Sequence, residues 1–309
     1  MDILVSGSMA YDRIMDFEGK FSDHILPDQL DNINVSFTVN SLTENFGGTA
    51  GNIAYSLSLL GEKPRILATI GQDYHRYFEW LKQIGVPTED IRVVVEELTA
   101  GAYITTDTQN NQITGFNPGA MKQQSGFDFD SLDPKDCLAI VAPGNLQDMA
   151  EYTAQHQARG IFSIFDPGQS LPAWEPAALA ECIAQSQMLV CNDYEMEMIC
   201  NSTGMSRGEV AKTVETIVVT RGGDGCDLLT ASNTVTIPVV PADDAVDPTG
   251  AGDAFRGGLI KGLVEGLSIE RAVQMGNVAG HYAVRKWGTQ QYSFSMDEFK
   301  AKLGQHFGS

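Results

Sequence analysis

The chain has 309 residues, 43 % of them apolar and 19 % charged, which is material for one large α/β domain or two ordinary ones. Its formal net charge of −20 repels nucleic-acid polymers and anionic membranes, so neither is an expected partner. No run approaches the ~18 consecutive apolar residues of a membrane-spanning helix. The opening Met1-Asp-Ile-Leu-Val-Ser-Gly7 has no basic leader and reads as a first strand. The five cysteines (Cys137, Cys182, Cys191, Cys200 and Cys226) are scattered and include no Cys-x-x-Cys pair, which argues for reduced thiols and against a zinc site. These features predict a cytoplasmic protein.

Short β-rich apolar runs at 3–6, 65–70, 138–142, 161–165, 188–191 and 217–220 alternate with stretches of helical spacing at 49–60, 76–84, 148–157, 176–185 and 207–216. Such alternation predicts right-handed βαβ units and a mostly parallel central sheet with helices on both faces. Ser268 is placed to cap a helix running to Trp287 and closed by Gly288. Two stretches break the pattern. Residues 14–46 and 99–118 carry period-2 alternation, as in Val35-Ser-Phe37-Thr-Val39 and Tyr103-Ile-Thr-Thr-Asp107, with Asn110-Asn111 suited to a hairpin turn. We expect them to pair into a small antiparallel sheet projecting from a core of 1–13, 47–98 and 119–309. A sheet that small must rest on something, and a lid over a ligand or a homodimer interface are the two readings.

The run Asp247-Pro-Thr-Gly-Ala-Gly-Asp253-Ala-Phe-Arg-Gly-Gly258 opens a segment with Phe255, Leu259, Ile260, Leu263, Val264 and Leu267 at helical spacing. Gly250, Ala251 and Gly252 therefore lie where a turn feeds a helix N-terminus, and their backbone N–H groups can point into one small volume. Asp253 falls at the first helical turn. An anion nest with a carboxylate at its lip suits in-line phosphoryl transfer, although Gly-rich turns with an Asp cap also start ordinary helices. At a helix N-terminus the Asp253 carboxyl is expected at or below its usual ~3.9.

Two further loops follow strands. In Asn192-Asp-Tyr-Glu195 the Asn and Glu can face one side and hold a hydrated Mg²⁺, or they can simply form a capping box. Thr220-Arg-Gly222-Gly-Asp-Gly225 offers small residues beside which phosphates can approach the backbone, or a plain hairpin turn. A dinucleotide fold would need Gly-x-Gly-x-x-Gly after the first strand, and a P-loop Gly-x₄-Gly-Lys-Ser/Thr; neither pattern is present.

The 247–258 run strongly resembles the C-terminal motif of the PfkB (ribokinase-like) carbohydrate and nucleoside kinases, and the resemblance extends over nearly the whole chain. It implies a ribokinase-like α/β fold and an ATP-dependent kinase. Asp253 would be its base, and Gly250, Ala251 and Gly252 the anion hole for the transferred phosphoryl group. Asn192, Thr220, Gly222, Gly225 and Asn277 match nucleotide-binding positions, with Mg²⁺ held through water near Glu195. Phe46-Gly47-Gly48-Thr-Ala-Gly51-Asn52 matches the family's N-terminal Gly-Gly motif, which receives the phosphoryl acceptor, and Asp12 resembles the acid that binds sugar hydroxyls. Asp247 and Thr249 resemble loops that bind K⁺ in some relatives. The segments 110–119 and 165–169 look most like the nucleoside-kinase branch, whose substrates need an apolar or aromatic slot for a base; Tyr103 and Phe116 are the candidates. A sugar kinase is the alternative. A non-catalytic binding protein on this scaffold would be expected to lose Asp253 or Glu195, and both are present.

Overall fold

The first strand, β1 (Asp2–Ser6), is followed by two excursions before the chain returns to its side. The computed structural model describes residues 1–25, 34–109 and 111–308. β1 pairs in parallel with β4 (Arg65–Gly71), and β4 with β5 (Ile91–Val94). On its other side lie β8 (Cys137–Val141), β9 (Phe162–Phe165), β10 (Met188–Asn192) and β11 (Thr216–Thr220), all parallel. An antiparallel hairpin, β12 (Cys226–Leu229) and β13 (Thr234–Ile237), completes a nine-stranded sheet.

The strands are apolar without alternation because both faces are covered. Leu138 and Ile140 of β8 pack beneath α1 (Thr49–Leu59), α2 (His75–Gln83), α7 (Ala251–Val264) and α8 (Ile269–Ala283). Cys137, Ala139 and Val141 of the same strand face α3 (Leu146–Arg159), α4 (Pro176–Gln185), α5 (Asp193–Thr203) and α6 (Arg207–Thr213). Cys191 is fully buried in this second layer, as a core residue. The last helix, α9 (Met296–Phe307), packs on α8 through Phe299 and Leu303. The α6 segment stops at Thr213, short of the expected 216, because Val214 turns extended to enter β11. The strand order reverses between β1 and β8, so the carboxyl ends of these strands diverge into a crevice.

A separate four-stranded sheet has the order β3 (Ser41–Gly47), β2 (Ala10–Asp16), β6 (Ala100–Thr106), β7 (Gln112–Asn117). It is mixed, not antiparallel throughout as expected, because β2 and β6 pair in parallel. The reason lies in the core: β2 follows β1 and β6 follows β5, so both strands leave the same carboxyl edge of a parallel sheet. Val35-Ser-Phe37-Thr-Val39 forms no strand; Phe37 instead packs against Phe17, Phe21 and His24. Asn110 of the expected hairpin turn, and 26–33 of the first insertion, lie outside the described residues. None of the described helices is long and apolar enough to cross a membrane.

Candidate active site

The crevice is built first by Gly48, which caps α1 at φ +87°. A Cβ there would lie 2.5 Å from the Ser8 carbonyl oxygen and 2.7 Å from the Met9 Cα, so only glycine brings this turn against the end of β1. Ser8 and Thr49 clamp it: the Thr49 N–H donates to Ser8 Oγ at 3.0 Å, and Thr49 Oγ1 donates to the Pro143 carbonyl at 2.7 Å. Three loops are thereby fixed at the carboxyl ends of β1 and β8.

The start of α7 faces this turn. Gly250 adopts the left-handed conformation (φ +75°), after which the N–H groups of Gly252 and Asp253 have no protein acceptor among the described residues. Asn52 Nδ2 donates to Asp253 Oδ2 at 2.8 Å, joining two motifs that are 201 residues apart. The Asp253 carboxyl is pushed up to about 7, chiefly by burial, with Asp166 and Asp12 adding repulsion and the Asn52 donor and Arg256 opposing it. This corrects the sequence expectation of a value at or below ~3.9. Desolvation among other acids outweighs the favourable potential of one helix end.

Two residues that sequence reasoning did not assign stand beneath the anion nest. Arg256, one turn into α7, makes a bidentate pair with Asp166 at the end of β9, and both are buried. Its Nη1 also donates to the Gly252 carbonyl at 3.0 Å, which ties the first turn of α7 to the end of β9. The only signal for this pair was a charged residue at each of two otherwise small or apolar stretches.

The register of the second sheet sorts its side chains. Asp12, Asn45, Ala102 and Phe116 are successive partners across β2, β3, β6 and β7 and so share one face. That face is turned to the crevice: Asp12 stands directly over Gly47, and Thr289 Oγ1 reaches it in a long 3.5 Å contact. Burial raises the Asp12 carboxyl above its usual range. Asn45 is its neighbour on that face. Tyr103 is on the opposite face, where its hydroxyl accepts from Arg13 Nη1 at 2.9 Å. The structure therefore separates the two lid aromatics, since a one-residue step in a strand reverses the side chain.

On the other side of α7 a cavity of about 480 Å³ is lined by Thr220, Gly222, Gly225, Val240, Ala251 and Asn277. Asn277 is buried, and its Nδ2 donates to the Pro238 carbonyl at 3.0 Å. Asn192 and Glu195 form a full capping box on α5: Asn192 Oδ1 accepts from the Glu195 N–H at 2.7 Å, and Glu195 Oε2 from the Asn192 N–H at 2.8 Å. Glu195 Oε1 is left over, and burial together with Asp166 raises this carboxyl. Asp247 accepts from the Thr249 N–H and hydroxyl with Oδ1 and from the Gly288 N–H with Oδ2, which ties the approach to α7 to the 288 loop. These donors hold it below the usual carboxylate range in spite of burial. Among the described residues no three His, Cys, Asp or Glu side chains converge as a metal cage.

A helix start with free amides, a raised carboxyl at its lip and an open cavity on its far side can move a phosphoryl group onto a hydroxyl, and the chain is a phosphotransferase of that class. Residues 3–295 match the pfkB family of carbohydrate kinases, and the chain belongs to that family. Among solved structures it is similar to the nucleoside kinase of Burkholderia thailandensis in complex with inosine, at 40 % identity and TM-score 0.87, covering 99 % of this chain and 98 % of that one. It is also 28 % identical to a nucleoside kinase of Methanocaldococcus jannaschii, over 88 % of this chain and 90 % of the relative. A mouse ribokinase is 27 % identical over 82 % of each.

Proposed function

We propose that the protein transfers the γ-phosphoryl group of ATP to the 5′-hydroxyl of a nucleoside. The observation that carries this reading is the Asn52–Asp253 contact at the start of α7, overlooked by a sheet face bearing Asp12 and Phe116. In this reading Asp12 accepts from ribose hydroxyls over Gly47-Gly48, and Phe116 stacks on the base. Asp253 takes the proton of the attacking hydroxyl, late in a loose transition state. The free amides at the start of α7, those of Gly252 and Asp253, receive the phosphoryl oxygens; of the expected anion hole, the Ala251 N–H is already given to the Pro248 carbonyl. The similarity to a nucleoside kinase solved with inosine, and with ADP-inosine, supports a purine nucleoside acceptor.

The cavity beyond α7 suits a nucleotide: Val239, Val240, Pro241 and Val284 offer an apolar slot for a base, and Thr220 to Gly225 line its other side. Mg²⁺ would be held through water by Glu195 Oε1 and would neutralise phosphate oxygens. K⁺ would sit against carbonyls of the Asp247–Thr249 and 288 loops, since the Asp247 side chain is already occupied by N–H and O–H donors. The four-stranded sheet acts as a lid whose closure excludes water from the transferring group. Its edge strand β7 is exposed along its whole length, and a homodimer would pair there, a state that sedimentation would reveal.

The deciding experiment is an ADP-release assay with Mg²⁺-ATP and a panel of adenosine, guanosine, inosine, cytidine, ribose and fructose, with and without K⁺. Turnover on nucleosides and none on free sugars is the expected result; turnover on sugars alone would replace this reading with a sugar kinase. Within the same assay, Phe116→Ala is expected to raise the nucleoside KM about tenfold, the order of one lost stacking contact. Tyr103→Phe, on the other face of the sheet, should leave KM close to the wild-type value.

A further inference from the structure

Gln290 is the one non-glycine residue at positive φ (+57°) among the described residues, and it is almost fully buried. A left-handed glutamine is strained and persists only where its surroundings determine it. Its surroundings do. The Trp80 indole Nε1–H donates to Gln290 Oε1 at 2.8 Å, and Gln290 Nε2 donates to Asn52 Oδ1 at 3.0 Å and to the Tyr77 hydroxyl at 2.9 Å. Tyr77 in turn donates to the Gly47 carbonyl at 2.7 Å. Gly51 makes room for this, because a Cβ there would collide with the Tyr77 hydroxyl and press on Gln290 Nε2.

The direction of every bond in this chain follows from its first member. An indole N–H can only donate, so Gln290 must present its oxygen to Trp80 and its amide hydrogens to Asn52. Asn52 must then present its own oxygen to Gln290 and its hydrogens to Asp253. We propose that Gln290, oriented by Trp80, is a positioning residue that locks the Asn52 amide as a donor to Asp253 Oδ2 and leaves Oδ1 to face the acceptor hydroxyl. The proposal rests on the reading of Asp253 as the base. The lock favours the ionised carboxyl, since an Asn52 held as donor cannot turn its carbonyl toward a protonated Asp253. The other charged or titratable groups around Asp253 are Asp12 from β2, Tyr77 from α2, Asp166 after β9, Arg256 on α7 itself, and Tyr292 after α8. None of these changes in the variants below.

The test titrates Asp253 directly. In protein labelled with ¹³Cγ-aspartate, its resonance is identified by its loss in Asp253→Asn and followed with pH in wild type, Trp80→Phe and Gln290→Met. Both variants are neutral, so neither adds charge near the carboxyl. The midpoint is expected to rise by about half a unit to one unit, the size of one net hydrogen bond. The acid limb of kcat should rise with it, while nucleoside KM stays near the wild-type value. An unmoved midpoint in the folded variants overturns the lock, and Trp80→Phe alone decides if Gln290→Met fails to fold. Failure of the kinase reading is seen separately, as absence of wild-type turnover on every nucleoside, and the titration judges the hydrogen-bond lock independently of it.

Discussion

Asp253→Asn is expected to lower kcat by about 10²–10⁴-fold, the usual contribution of a positioned base, while nucleoside binding stays close to wild type. The amide keeps the shape of the carboxyl and can still meet Asn52, but it cannot take a proton. A variant with near-wild-type turnover would remove Asp253 from the chemistry. The raised carboxyl makes a second, independent mark. With a value of about 7 in the free protein, kcat/KM should fall as pH drops through neutrality, because the base is then protonated. The same shift acts on stability with the opposite preference. Between its unfolded value of ~3.9 and about 7 the folded chain holds more protons at this site than the unfolded chain, so stability falls as pH rises through that window. Asp253→Asn is therefore expected to melt at a higher temperature than wild type at pH 8, and the gap should close toward pH 4. Thermal melts of the two proteins across that range measure it directly.

Arg256→Met should destabilise the fold by about 3–5 kcal/mol, because it leaves Asp166 as a buried charge without its partner. Urea unfolding of the single variant and of Arg256→Met with Asp166→Asn tests this. The double variant should recover part of the loss, since the uncompensated charge is then gone. Turnover should stay low even where stability recovers, because the first turn of α7 has lost the guanidinium that ties it to the end of β9. Recovery of both together would mean that the pair serves folding alone. Arg256→Lys keeps the charge but not the bidentate fork, and should fall between the two.

Much of the architecture was legible because the signals were local. Apolar runs bounded by Gly, Pro or acidic residues marked 65–70, 138–142 and 188–191 as buried strands, and each lies in the core sheet. The helix opening at 251 followed from glycines before a periodic apolar stripe, and the structure places Gly257 against α1 and Gly258 against α8, where larger residues would collide. The alternating stretches were recognised as a second sheet, but 35–39 was misread as a strand. Alternation states only that a segment could lie half-buried; pairing also needs a neighbour, and β3 takes that place.

Composition and spacing by themselves determined that this chain builds a mostly parallel α/β sheet with a small β attachment, and the 247–258 and 46–52 motifs determined that it is a pfkB-family kinase. These properties depend on residue type and short-range periodicity, which a linear chain displays openly. Tertiary structure decided the rest. It set the face on which Phe116 rather than Tyr103 meets the crevice, the joining of Asn52 to Asp253 across 201 positions, the Arg256–Asp166 pair, and the chain of donors from Trp80 through Gln290. It also reversed the expected ionisation of Asp253, because that depends on which other acids are brought near and how much water is excluded, and both are known only once the chain has folded.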